Sequence, residues 1–156
     1  MKHSKALRRT GALLLTMLLG YAGSSSAQST DDPQAAALAV MDAFLSAFNA
    51  RDEAAWADSL HFPHVRMASQ TVTVYPDRAA FLEAMDMDAF AATYGWAYST
   101  WDNMSVIQSS ERKVHVQVVF SRFNADDELL ASFDSLYVIE LVDGRWGVRG
   151  RSSFAP

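Results

Sequence analysis

The chain contains no cysteine. Disulfides, thiol chemistry and a lipid-modified amino terminus are thereby excluded, and stability has to come from the packed core. Glycine is scarce, seven in all and none in a spaced cluster, so there is no phosphate-cradling loop. A nucleophile elbow and a metalloprotease helix are also missing. No apolar run approaches the roughly 20 residues that cross a bilayer. The sequence has no internal repeat and no low-complexity tract.

What is present first is a leader. Lys2, Lys5, Arg8 and Arg9 precede the apolar stretch from Ala12 to Leu19, and small residues follow up to Ser25-Ser26-Ala27. A basic start, a short apolar middle and a small-residue cleavage site predict an export signal, residues 1–27, cleaved after Ala27. Arg8-Arg9 is a weak hint of twin-arginine export. Residues 28–34 are expected to form a short tether, and residues 35–156 one domain. The leader takes four of the 13 bases and none of the 18 acids, so the remainder carries nine against 18, a net charge of −9. That balance argues against nucleic acid and anionic membranes as partners. An exported protein, periplasmic or extracellular and without a stable membrane anchor, is the expectation.

Half of the residues are apolar and a fifth are charged, a globular composition. Asp32-Pro33 opens a helix, with Asp as cap and Pro at the first position. Ala37, Val40, Met41, Phe44, Leu45 and Phe48 make its apolar stripe. Asp52 caps a second, shorter helix presenting Trp56. Two strands follow, Val65-Met67 and Thr71 to Tyr75. Pro76-Asp77 starts a third helix carrying Phe81, Leu82, Met85 and Phe90, and Gly95 ends that region. Four long strand-like runs come next: Trp96–Gln108, Lys113–Phe123, Leu129–Val142 and Trp146–Phe154. Asp143-Gly144 between the last two accepts the positive φ values of a tight hairpin. Short joints force antiparallel neighbours. The expected class is α+β: a curved, mixed but mostly antiparallel six-stranded sheet forming a cone closed by three N-terminal helices.

This order resembles the nuclear transport factor 2-like superfamily, which includes ketosteroid isomerase and the SnoaL-like polyketide cyclases. The residues that carry the resemblance are Phe44 to Asp52, Trp56-Ala57-Asp58, Asp77 to Phe81, and Asp143-Gly144-Arg145-Trp146-Gly147-Val148. The resemblance implies a conical pocket for a small apolar molecule, a cofactor-independent mode of action, and a homodimer formed through the outer sheet face. One cone hosts isomerases, dehydratases, cyclases and non-catalytic binders, so it marks fold better than activity. Laid on the isomerase pattern, His64 takes the place of the general base and Asp134 that of the oxyanion-hole acid. Phe44 stands where the isomerase has a tyrosine.

The residues themselves point to the same region. His61 and His64 flank Pro63, and His64 has the intrinsic pKa for proton transfer near neutrality. Its alternative is a buried imidazole bonded to a backbone carbonyl or to Asp58. His61 is a substrate-binding candidate with a structural alternative. Two histidines make a poor metal site without a third ligand, and no metal is expected. Asp134 lies in an otherwise nearly uncharged strand, where a carboxylate is costly unless paired or protonated. It reads as a pocket acid or as a partner for Arg66, Arg149 or His64. Phe44, Trp56, Tyr98 and Trp101 are the expected pocket walls, with Arg66 beside them. Arg145, Arg149 and Arg151 alternate on one side of the last strand, as a carboxylate-binding row or a solvated outer face. Strand parity decides the site. If Ser132, Asp134 and Leu136 face inward, Tyr137 faces outward; if the parity is reversed, Tyr137 lines the pocket and the Asp134 assignment fails.

Overall fold

The structure, a computed structural model, describes residues 32–156. The expected leader and most of the tether lie outside the described residues. Helix α1 spans Pro33–Ala50 and is capped by Asp32, whose carboxylate accepts from Gln34 N at 2.9 Å. The domain therefore begins slightly earlier than residue 35. Arg51 ends α1 in the left-handed region, and Asp52 caps α2 (Glu53–Asp58) through Ala55 N. Strands β1 (Leu60–Met67) and β2 (Val72–Tyr75) form an antiparallel pair.

The expected third helix is two helices, α3 (Arg78–Ala84) and α4 (Met87–Tyr94). Between them Met85 is extended and Asp86 caps α4 by accepting from Ala89 N at 2.8 Å. An Asp that can serve as a new cap competes with continuation of the first helix, which is why the single stripe from Phe81 to Phe90 is interrupted. Gly95 closes α4 at φ 62°, the left-handed C-terminal position that favours glycine.

The remaining strands are β3 (Tyr98–Ser109), β4 (Lys113–Phe123), β5 (Leu129–Val142) and β6 (Arg145–Ser153). The β5–β6 turn has Asp143 and Gly144 both at positive φ, 50° and 78°. One open six-stranded sheet results, in the order β2-β1-β6-β5-β4-β3, with β1 parallel to β6 and every other pair antiparallel. The helices close its concave side. Met41, Phe44, Trp56, Phe81, Val114, Val116, Val118, Tyr137, Ile139 and Val148 are buried there.

Candidate functional site

The concave face is set by the two-residue period of the strands. On β4, Val114, Val116, Val118 and Phe120 point to the helices, and the same parity brings Arg122 to that side. On β5, Tyr137 pairs with Val116 and is 1% exposed. Asp134 pairs with Val119 and is exposed on the convex face, in a shallow groove with Ile107, Gln117, Leu136 and Phe154. The parity is thus the reverse of the one that would make Asp134 a cavity acid. His64 and Asp134 do not share a site, and a carboxylate in this strand is tolerated because water reaches it.

On β6 a bulge decides the outcome. Val138 pairs with Gly150 and Ile139 with Val148, so Arg149 has no partner in the ladder. The three arginines of this strand consequently part company. Arg149 bonds Glu140 at 2.9 Å and the Phe62 carbonyl at 2.7 Å. Arg145 donates to the Asp58 and Leu60 carbonyls. Arg151 turns inward, 5.6 Å above the Phe44 ring, and its Nη1 donates to Tyr137 Oη at 3.3 Å. They are neither one row nor one solvated face.

A second irregularity separates the histidines. The β1–β6 register slips between Leu60 and Val65. His61 is directed to the β5–β6 hairpin, away from the cavity. Its Nε2 faces the carbonyls of Glu140 and Arg145 at 3.1 and 3.0 Å, while Nδ1 accepts from Arg145 Nη2 at 2.9 Å. Burial and the Arg145 charge hold its pKa below the ordinary value. All of its polar capacity is spent on scaffold. His64 does line the cavity. It is 2% exposed, stacks on Tyr75 and bonds the Val148 carbonyl through Nδ1 at 3.2 Å. That carbonyl can only accept, so Nδ1 carries the proton and Nε2 keeps a lone pair. Burial first, and then the nearby Arg151 charge, push its pKa down to about 4.

The cavity has a volume of about 220 Å³. Phe48, Trp56, Tyr75, Phe81 and Phe90 form its walls; Met85 and Met87 sit at the helical side; His64, Arg66, Arg122 and Arg151 supply its polar surface. A small adjoining lobe of about 20 Å³ shares Phe48, Arg122 and Arg151 and adds Phe44, Trp101 and Tyr137. The walls are braced by edge-to-face contacts of Trp56 with Phe48, Phe81 and Phe44 at 5.0, 5.0 and 5.5 Å. Of the expected wall residues, Phe44, Trp56 and Trp101 take part, as does Arg66. Tyr98 does not: it stacks on Phe123 at the sheet edge and its hydroxyl donates to Asp127.

The electrostatics of the cavity are one-sided. Among the described residues, Arg66, Arg122 and Arg151 form no ion pair with a carboxylate side chain. Burial and the mutual repulsion of the three guanidinium groups lower the pKa of Arg122 to about 10, and Arg66 is shifted in the same direction by burial and Arg151. Arg66 donates to the Pro156 carbonyl at 2.7 Å. Arg122 lies over the rings of Phe90, Phe120 and Phe133 at 5.0 to 5.6 Å. The buried side-chain nitrogens without a partner, among the described residues, are Trp56 Nε1, Arg122 Nε and Arg151 Nε. All three are donors on residues that line this cavity. Arg122 was within reach of the sequence, since the alternation from Val114 to Phe120 continues to it; Arg151 was not, because the bulge is invisible there.

The family model described as NTF2-like protein (DUF6841) matches residues 34–153. No curated protein matches the chain. Solved structures with the same fold are numerous but distant in sequence. A protein of unknown function with a cystatin-like fold from Nostoc punctiforme PCC 73102 superposes with a TM-score of 0.65 at 10% identity, over 79% of this chain and 90% of that one. ActVI-ORFA from Streptomyces coelicolor gives 0.60 at 16% identity, over 78% and 95%. A ketosteroid isomerase-like protein from Erwinia carotovora atroseptica gives 0.56 at 17% identity, over 80% and 96%. At these identities the likeness is one of fold.

Proposed function

Because the chain belongs to the family of NTF2-like proteins designated DUF6841, we propose that it is an exported small-molecule-binding protein that holds its ligand inside the cone. The observation that carries this reading is the cavity itself. About 220 Å³ of space is walled by aromatic rings, and three of the residues that line it carry buried donors without partners. A void in a pure scaffold would be apolar and dry, collapsed, or small enough to be filled by a few ordered waters. Apolar walls with a few convergent polar groups are the general character of ligand sites.

A second reading, proton transfer, is favoured by His64. Its Nδ1 proton is fixed on the Val148 carbonyl, which leaves Nε2 as a lone pair on a cavity-lining ring. In this version His64 works without Asp134, and donors such as Arg151 and Tyr137 would meet the developing oxyanion. A base whose conjugate acid has a pKa of about 4 is weak, so binding stands first.

NMR with a panel of single-ring neutral fragments tests the primary reading. Shifts should concentrate on Trp56, His64, Tyr75 and Phe81. Shifts confined to the convex face, or none with this panel and with its carboxylate analogues, would sink it. Turnover of small ketones and hydroxy compounds that disappears in His64→Ala, with binding retained, would move the second reading ahead.

A further inference from the structure

We propose that the cavity recognises an organic anion, one ring bearing a short carboxylate arm, with Arg122 and Arg151 as the pair that grips the carboxylate. The inference rests on the reading of the cone as a ligand site and adds the charge and size of what it takes.

The argument starts from desolvation. A guanidinium removed from water loses hydration that only an anion or several acceptors can replace. Arg122 forms no side-chain hydrogen bond among the described residues and is surrounded by three aromatic faces. Arg151 has one long bond, to a phenol oxygen. Each leaves its Nε–H buried and unmet, and Trp56 adds a third such donor. Every one of these unmet groups lacks an acceptor. A neutral apolar ligand would leave both guanidinium groups without a counter-charge, whereas a carboxylate brings two acceptor oxygens and a compensating charge. The planar fork of arginine matches those oxygens in two parallel bonds.

The positive field has the same implication. Arg151 and Arg122 repel each other, and Arg122 also feels Arg66 nearby. Like charges held close in a low-dielectric site are unfavourable in the empty protein, and an anion placed between them reverses the sign of that interaction. Among the lining residues the acidic one is Asp86, whose carboxylate is engaged as the cap of α4. It sits exposed at the rim and does not neutralise the floor.

Size sets the rest. An apolar cavity of about 150 Å³ accommodates benzene, so 220 Å³ leaves room for one ring and a short arm. Steroid-sized molecules exceed it.

The test uses matched pairs: benzoate, phenylacetate and 3-phenylpropionate against their amides, with sodium sulfate as the inorganic anion. Affinities are read by calorimetry and location by NMR of the Trp56 indole and the arginine Nε–H groups. The acids are expected to bind at least about tenfold more tightly than the amides, the gain of charge-assisted over neutral contacts. Arg122→Met and Arg151→Met should each remove most of that difference. Arg122→Lys and Arg151→Lys, which keep the charge but not the fork, serve where the Met variants do not fold; they should lose part of it. Equal binding of acid and amide in the unaltered protein overturns the proposal while the ligand-site reading stands. So does amide binding in the cavity without acid binding. Sulfate binding as tightly as the acids overturns the organic part. If neither acids nor amides reach the cavity, the ligand-site reading fails and this proposal with it.

Discussion

Tyr137 and Arg151 face each other across the β5–β6 ladder, and the arginine donates to the phenol oxygen at 3.3 Å. This pairing fixes which face of β5 is inside. It brings Tyr137 to Phe44 and Trp101, with ring centroids 5.5 and 5.7 Å away, and leaves Asp134 in water. Tyr137→Ala is expected to cost about 3–5 kcal/mol, the range for emptying a large aromatic from a core. Tyr137→Phe should cost no more than about 1 kcal/mol, since only one long hydrogen bond goes. Asp134→Asn should change stability by less than about 0.5 kcal/mol and ligand affinity not at all. Urea denaturation of the three variants checks the ranking, and an Asp134→Asn effect as large as that of Tyr137→Ala would contradict the observed parity.

Acid sensitivity should follow from His64. Its folded-state pKa, about 4, lies below the ordinary 6.5. Above pH 6.5 both folded and unfolded chains hold it neutral, and it contributes nothing to the pH dependence. Between 6.5 and 4 the unfolded chain takes up a proton that the folded chain refuses, so stability falls as the pH drops. The loss amounts to about 3 kcal/mol by pH 4, and His61, shifted the same way, adds to it. Denaturation midpoints from pH 7.5 to 4 should show this slope, and His64→Gln should flatten it. An unaltered slope in that variant would mean that other groups control acid unfolding.

Gly147 is a point where the scaffold tolerates no side chain. A Cβ there would lie 2.9 Å from His61 Cδ2 and 3.0 Å from Nε2. The imidazole cannot swing aside without breaking its bonds to Glu140, Arg145 and the Arg145 guanidinium. Gly147→Ala is therefore expected to destabilise by about 1–3 kcal/mol, as overpacking does, with the cavity unaffected. A variant as stable as the parent would show that the His61 network is loose.

For export we propose cleavage after Ala27. Mass spectrometry of protein recovered outside the cytoplasm should find Gln28 as the first residue. A full-length product retained in the membrane would refute this.

For assembly we propose a homodimer through the convex sheet face. Ile107 and Phe154 are 49% and 71% exposed there, near Leu136 and the half-buried Val119. Light scattering at micromolar concentration should give twice the chain mass, and a monomer would count against it. The outward positions of β4 on this face are His115, Gln117 and Ser121 alongside Val119.

The sequence by itself determined the element order, because caps and turns are local chemistry. Asp32, Asp52 and Asp77 each bond an amide two or three residues on. Gly95 and Asp143-Gly144 take up positive φ with no help from distant residues. The apolar stripe of α1 and the long β-rich runs then leave few ways to bury the core, and a cone follows. Phe44, Trp56 and His64 were legible as cavity residues because each lies on an element whose inner face is evident from its pattern. What only the tertiary structure decided is which face of β5 looks inward, where β6 bulges and where β1 slips against it. Those are properties of pairing between strands far apart in sequence, and one unpaired residue reverses every side chain beyond it. The bulge at Arg149 turns Arg151 into the cavity, and the register slip parts His61 from His64. A site read as a histidine with an acid is, for that reason, a histidine among unpaired arginines.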